Sequence, residues 1–163
     1  MIITKIINFY SSIKEKIMEK ARKNLRITSI VVLIFAGLSL INIVAQLIWG
    51  DFSNAPIPEG SSDSVLLIAK IVLLGISLLL LIPDVYIGVK GLKVAKKPGS
   101  SKGHIVWAII LFILSIIALI SPIVSLFSAE SIRESISAIL SGLVQILIYF
   151  EYIKDAKTLV KSN

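Results

Sequence analysis

An all-α membrane protein of four transmembrane helices, arranged as two antiparallel hairpins behind an N-terminal amphipathic helix, is the fold class this sequence predicts. Three observations predict it: four long apolar runs, loops between them that alternate in charge, and an amphipathic, basic first stretch. Hydrophobic residues make up 56% of the 163 and mean hydropathy is +0.93. A soluble chain of this length could not hide so much apolar surface in one core.

Residues 1–24 come first. Ile3, Ile6, Ile7, Tyr10, Ile13, Ile17 and Ala21 recur at three- and four-residue spacing, while Lys5, Lys14, Glu15, Lys16, Glu19, Lys20, Arg22 and Lys23 fill most of the remaining surface. That pattern predicts an amphipathic helix. A basic face beside an isoleucine stripe suits a helix lying in the cytoplasmic headgroup region before the chain turns into its first span. The rival reading packs the stripe on a partner protein or a second copy of the chain; the interfacial one is preferred. A cleaved signal peptide is not expected, because the apolar run after Arg26 far exceeds the roughly 7–15 residues of a signal core.

The spans follow at 27–49, 65–89, 105–128 and 133–153. The first and third carry no charge, the second carries Lys70 and Asp84, and the fourth has a charge-free stretch from Ser135 to Phe150. Each matches or approaches the roughly 20 residues a helix needs to cross about 30 Å of hydrocarbon. Asn54, Pro56, Pro58, Gly60, Ser61 and Ser62 mark the first loop as a short turn, and Pro98, Gly99, Ser100 and Ser101 do the same for the second. Trp49 and Phe52 read as interfacial aromatics on one side, and Tyr86, Trp107, Tyr149 and Tyr152 on the other. Pro83 and the pair Ser121-Pro122 are expected to bend their helices.

Charge sets the orientation. Of 17 basic residues, all but Lys70 and Arg133 fall before the first span, between the second and third, or after the fourth. The other two loops hold Asp51, Glu59, Asp63, Glu130 and Glu134. The positive-inside rule therefore puts both termini in the cytoplasm. The net charge of +7 reflects that rule and attraction to anionic headgroups, with Lys14, Lys20, Arg22, Lys23, Arg26, Lys93, Lys96 and Lys97 as the headgroup-facing set. No nucleic-acid partner is expected.

Residues 1–163 form one membrane domain, with no room for a soluble module. Cysteine is absent and there is one histidine, so an ordinary zinc site is not expected. No glycine-rich phosphate loop or nucleophile elbow is present. The expectation is of no enzyme, no catalytic residues, no cofactor and no metal.

Polar residues inside the spans are the candidate sites, since each must be paired or reach water. Asp84 falls about 19 residues into the second span, near the inner edge of the hydrocarbon, where His104 or Arg26 could meet it. The simpler reading is a wetted helix-end carboxylate; the functional one is a proton- or cation-handling group. Asn42 and Gln46, one turn apart in the first span, are expected to join Lys70 in an outer-leaflet cluster pairing helices one and two. Gln145 is expected to face the small-residue seam Ala138-x-x-x-Gly142 in the fourth span, and Ala118, Gly37, Gly75, Gly88 and Gly91 offer further close-approach faces.

The stretch from Pro83 through Asp84, Tyr86, Gly88, Lys90, Gly91 and Lys93 to Pro98, followed by His104-Ile105-Val106-Trp107-Ala108, resembles small four-span membrane proteins of Gram-positive bacteria. The resemblance covers about the middle third of the chain and implies a bacterial plasma membrane, without implying an activity. Richness in isoleucine and lysine, with Arg22, Arg26 and Arg133 the only arginines, agrees with a low-GC origin. Two functions are expected in order of preference: a non-enzymatic interaction protein, as an accessory subunit or immunity-type protector, and an oligomeric ion or proton channel or small transporter.

Overall fold

The computed structural model describes residues 2–49, 63–97, 102–127 and 132–161. Five helices form there: α1 (Ile2–Trp49), α2 (Asp63–Lys96), α3 (Gly103–Ala118), α4 (Ile120–Phe127) and α5 (Ile132–Lys161). With α3 and α4 counted as one run, four helices are long and apolar enough to cross a membrane. Both proline-containing turns, the interfacial Phe52 and the side chains of Gln46 and Trp49 lie outside the described residues.

The first correction concerns the N-terminus. No turn separates residues 1–24 from the first span; α1 is one helix of 48 residues, about 72 Å long. The physical reason is in the junction. Glu19 to Arg26 contains neither proline nor glycine and is rich in lysine, arginine, alanine and leucine, all strong helix formers. The isoleucine stripe extends from the bundle uncovered: Ile3 is 73% exposed, Tyr10 74% and Ile13 41%.

Prolines act differently at their two sites. The third apolar run divides at Leu119, between α3 and α4. Pro122 lacks the N–H that would bond the Ala118 carbonyl, and its ring crowds that carbonyl. The chain tightens instead, with Leu119 N–H donating to Ile116 O at 3.2 Å. Pro83, by contrast, sits inside an uninterrupted α2.

The core lies towards the basic ends of the helices. Ala21, Leu25, Ser29, Val32 and Ala36 form one buried stripe of α1 at helical spacing. They meet Ile87 and Val94 of α2, His104, Ile105 and Ala108 of α3, and Tyr149, Tyr152, Ala156 and Leu159 of α5. Towards the other end the helices expose leucine and isoleucine, such as Ile41, Leu79 and Leu147. Within the four apolar windows no more than 18% of residues are buried, so most of this surface needs an apolar surrounding.

Glycines set the closest approaches. A Cβ on Gly88 would lie 2.6 Å from Leu33 Cγ, and one on Gly142 would lie 2.5 Å from Leu119 Cδ2. At Gly91 it would strike Ser29 Oγ and stand 2.6 Å from Tyr152 Cε2. Gly37 and Gly75 have nothing within 4 Å of such a Cβ, so those two do not mark helix contacts, contrary to expectation. Small residues in apolar helices are common enough that composition alone cannot tell a packed glycine from an open one.

Candidate functional site

The polar groups within the apolar runs gather around Asp84. Tyr149 O–H donates to Asp84 Oδ1 at 2.5 Å, and Gln145 Nε2–H donates to Tyr149 Oη at 3.0 Å. The register makes the arrangement possible: Gln145 and Tyr149 are one turn apart on α5, so both hydrogen-bond along one face towards α2.

Asp84 also lies where two cavities meet. A cavity of 130 Å³ is lined by Phe35, Ser39, Ser141, Gln145 and Tyr149 together with Asp84, and one of 290 Å³ by Ser39, Asn42, Ser77 and Asp84 with aliphatic neighbours. A third, of 590 Å³, opens between α3–α4 and α5 beside Ser121, Ser135, Ala138, Ser141 and Gln145. Because adjacent cavities share Ser39, Ser141 and Gln145, the polar groups form one track across the bundle. Serine suits this position: Ser115 Oγ–H donates to Leu111 O at 2.8 Å and Ser125 Oγ–H to Ser121 O at 3.0 Å, which satisfies the hydroxyl hydrogen and leaves oxygen lone pairs available.

Beneath this track the bundle is closed. Tyr152, wholly buried, donates its O–H to Ile87 O at 2.8 Å. The ring of His104, also wholly buried, stands edge-on to Tyr152 with centroids 6.1 Å apart. Past the fourth apolar run, Asp155 is 4% exposed and its Oδ2 has no hydrogen bond among the described residues. Burial pushes its carboxyl up and Glu151 adds to the push, while Lys154 and Lys20 oppose it. On the surface, Lys154 bonds both oxygens of Glu151.

Several expected positions change. Asp84 pairs with Tyr149 rather than with His104 or Arg26. Arg26 is exposed, and His104 packs on Tyr152. Asp84 shares its cavities with Phe35, Ser39 and Asn42, the middle of the 27–49 run and about 20 Å along α1 from Arg26. Asn42 faces the Asp84 cavity; Lys70 is half-buried on α2, about 10 Å of helix rise beyond Ser77. Gln145 does line the Gly142 seam. Lys14, Lys20, Arg22, Lys23, Arg26, Lys93, Lys96 and Lys97 are all exposed.

Tyr149 and Tyr152, expected as interfacial aromatics, are core residues at 2% and 0% exposure, and that core role is the main one absent from the sequence reading. A usable signal existed: Gln145, Tyr149, Tyr152 and Ala156 recur at four, three and four residues, one helical face.

Fold and site together define an all-helical protein whose four helices are each long and apolar enough to cross a membrane. No protein-family model, curated protein or solved structure matches the chain.

Proposed function

We propose that this is a multi-pass protein of a bacterial plasma membrane, its four spans paired as two antiparallel hairpins with both termini cytoplasmic, and that it works by binding another protein without catalysing a reaction. It suits an accessory subunit or an immunity-type protector. The observation that carries this reading is the open seam between α3–α4 and α5, where Ser121, Ser135, Ala138 and Gly142 line a 590 Å³ cleft. Small and hydroxyl-bearing residues at membrane depth are the surface on which another helix packs closely. The uncovered stripe of α1 supports the same reading, since the continuous helix carries Ile6 and Ile13 out of the bundle. A photo-crosslinking residue placed at Ala138 or at Ile13 is expected to give a discrete protein adduct in native membranes. Adducts with lipid alone at both positions would overturn the reading.

A second reading, an oligomeric ion or proton channel or small transporter, is favoured by Asp84 and its cavities. Its expected result is loss of cation or proton flux in liposomes when Asp84→Asn is made and the protein still assembles. An absence of flux in the purified wild type would end it.

A further inference from the structure

Asp84 combines three properties that together point to a ligand. Its carboxylate sits among apolar residues at the depth of the middle of the 27–49 run, Tyr149 bonds its Oδ1, and it lines a cavity that also carries Ser39, Asn42 and Ser77. Its hydrogen-bond partner is a tyrosine, Lys90 is six residues along α2 with its Nζ 6.0 Å from the Tyr86 ring centroid, and Lys70 is fourteen residues the other way. Those steps are about 9 and 21 Å of helix rise. A carboxylate at hydrocarbon depth needs a counter-charge or a proton.

The 290 Å³ cavity between α1 and α2 supplies what a counter-ion needs. Ser39 and Ser77 bring hydroxyl oxygens, Asn42 an amide oxygen and Asp84 the charge. These are all hard oxygen donors, suited to cations that exchange water for protein oxygen. One carboxylate balances one positive charge, and the described residues contain no group of three His, Cys, Asp or Glu that could hold a multivalent metal. Among the described residues no aromatic ring lines this cavity, so they offer no face to hold an organic ammonium. The cavity places hydroxyl and amide oxygens beside the carboxylate, which a cation can use and a proton does not need.

We propose that Asp84, with Ser39, Asn42 and Ser77, forms a binding site for a monovalent alkali cation between α1 and α2. The site rests on the membrane-spanning reading of α2 and is independent of transport, because binding is an equilibrium property.

The test uses full-length protein in mild detergent, first shown to be integral by its resistance to carbonate extraction from membranes. Thermal unfolding is followed in sodium, potassium, ammonium and N-methylglucamine chlorides at matched ionic strength. Sodium or potassium should raise the melting temperature saturably, by about 3 °C at roughly tenfold excess over Kd, relative to N-methylglucamine. Asp84→Asn should abolish the rise. Asn42→Ala, at an exposed position that folding does not need, should move the half-saturating concentration up by about tenfold, and it carries the test if Asp84→Asn does not fold. Equal melting in all four salts, a response to ammonium alone, a response to pH without one to alkali cations, or an unchanged alkali response in Asp84→Asn or Asn42→Ala would each overturn the site. Failure in the extraction step would overturn the membrane reading instead.

Discussion

Replacing Tyr152 with alanine is expected to produce the largest loss of stability of any single side-chain truncation in this chain. The side chain is wholly buried where α1, α2, α3 and α5 converge, with Ile87, His104 and Gly91 around it. Truncating a buried aromatic removes its packing and leaves a cavity, and costs about 3–5 kcal/mol. The tyrosine adds a hydrogen bond to Ile87 O at 2.8 Å. Tyr152→Phe isolates that bond and should cost about 0.6–1.5 kcal/mol, the lower value if the unfolded chain stays in the membrane and finds other partners. Unfolding in increasing denaturing detergent reads both numbers. A Tyr152→Ala protein as stable as Tyr152→Phe would show that the aromatic packing contributes nothing.

Gly91→Leu is expected to prevent the helices from closing at the same place from the opposite direction. Even a methyl group there meets Ser29 Oγ and the Tyr152 ring. Ser29 is wholly buried, and the ring is held by its own hydrogen bond, so neither can move aside freely. Gly91→Ala should therefore cost about 1–3 kcal/mol, and leucine more. Gly37→Ala and Gly75→Ala, with open space around them, are the controls: they should be neutral or stabilise by up to about 1 kcal/mol, because alanine holds a helix better than glycine. Gly88 and Gly142 fall between, since the closest atoms a methyl would meet belong to the side chains of Leu33 and Leu119, which can rotate, while at Gly88 the Ser29 carbonyl oxygen also stands 3.3 Å away. Because Gly91 and Tyr152 touch, their effects should not add, and Gly91→Ala should cost measurably less in a Tyr152→Leu background. Equal stability of all five glycine variants would remove the argument.

The neighbours of Asp84 illustrate what a linear count leaves out. From the start of its own span the residue lies near the basic edge, where a carboxylate is easily wetted. Packed against α1 it lies beside Ser39 and Asn42, because the helices register through Gly88 on Leu33 and Gly91 on Ser29. Nothing in either span alone records that offset. The packing of α5 on α2 likewise brings Tyr149, 65 residues away, to Asp84.

The amphipathic stretch shows the reverse. Its stripe and its helical state were legible from spacing, and the one feature misjudged was a break at residues 24–26. Local propensity favoured continuity there, and a functional picture of a helix lying on a surface obscured it.

From sequence alone follow the helical class, the number and limits of the apolar runs, the one-sided distribution of charge and the break near Pro122, because each depends on composition, periodicity or a proline within a few residues. Tertiary structure decided which glycines are packed, which tyrosines are core, and that Asp84 faces an oxygen-lined cavity. These depend on the relative shift of one helix along another, and that shift is fixed by side chains meeting across the bundle. Such meetings have no signature in any one helix.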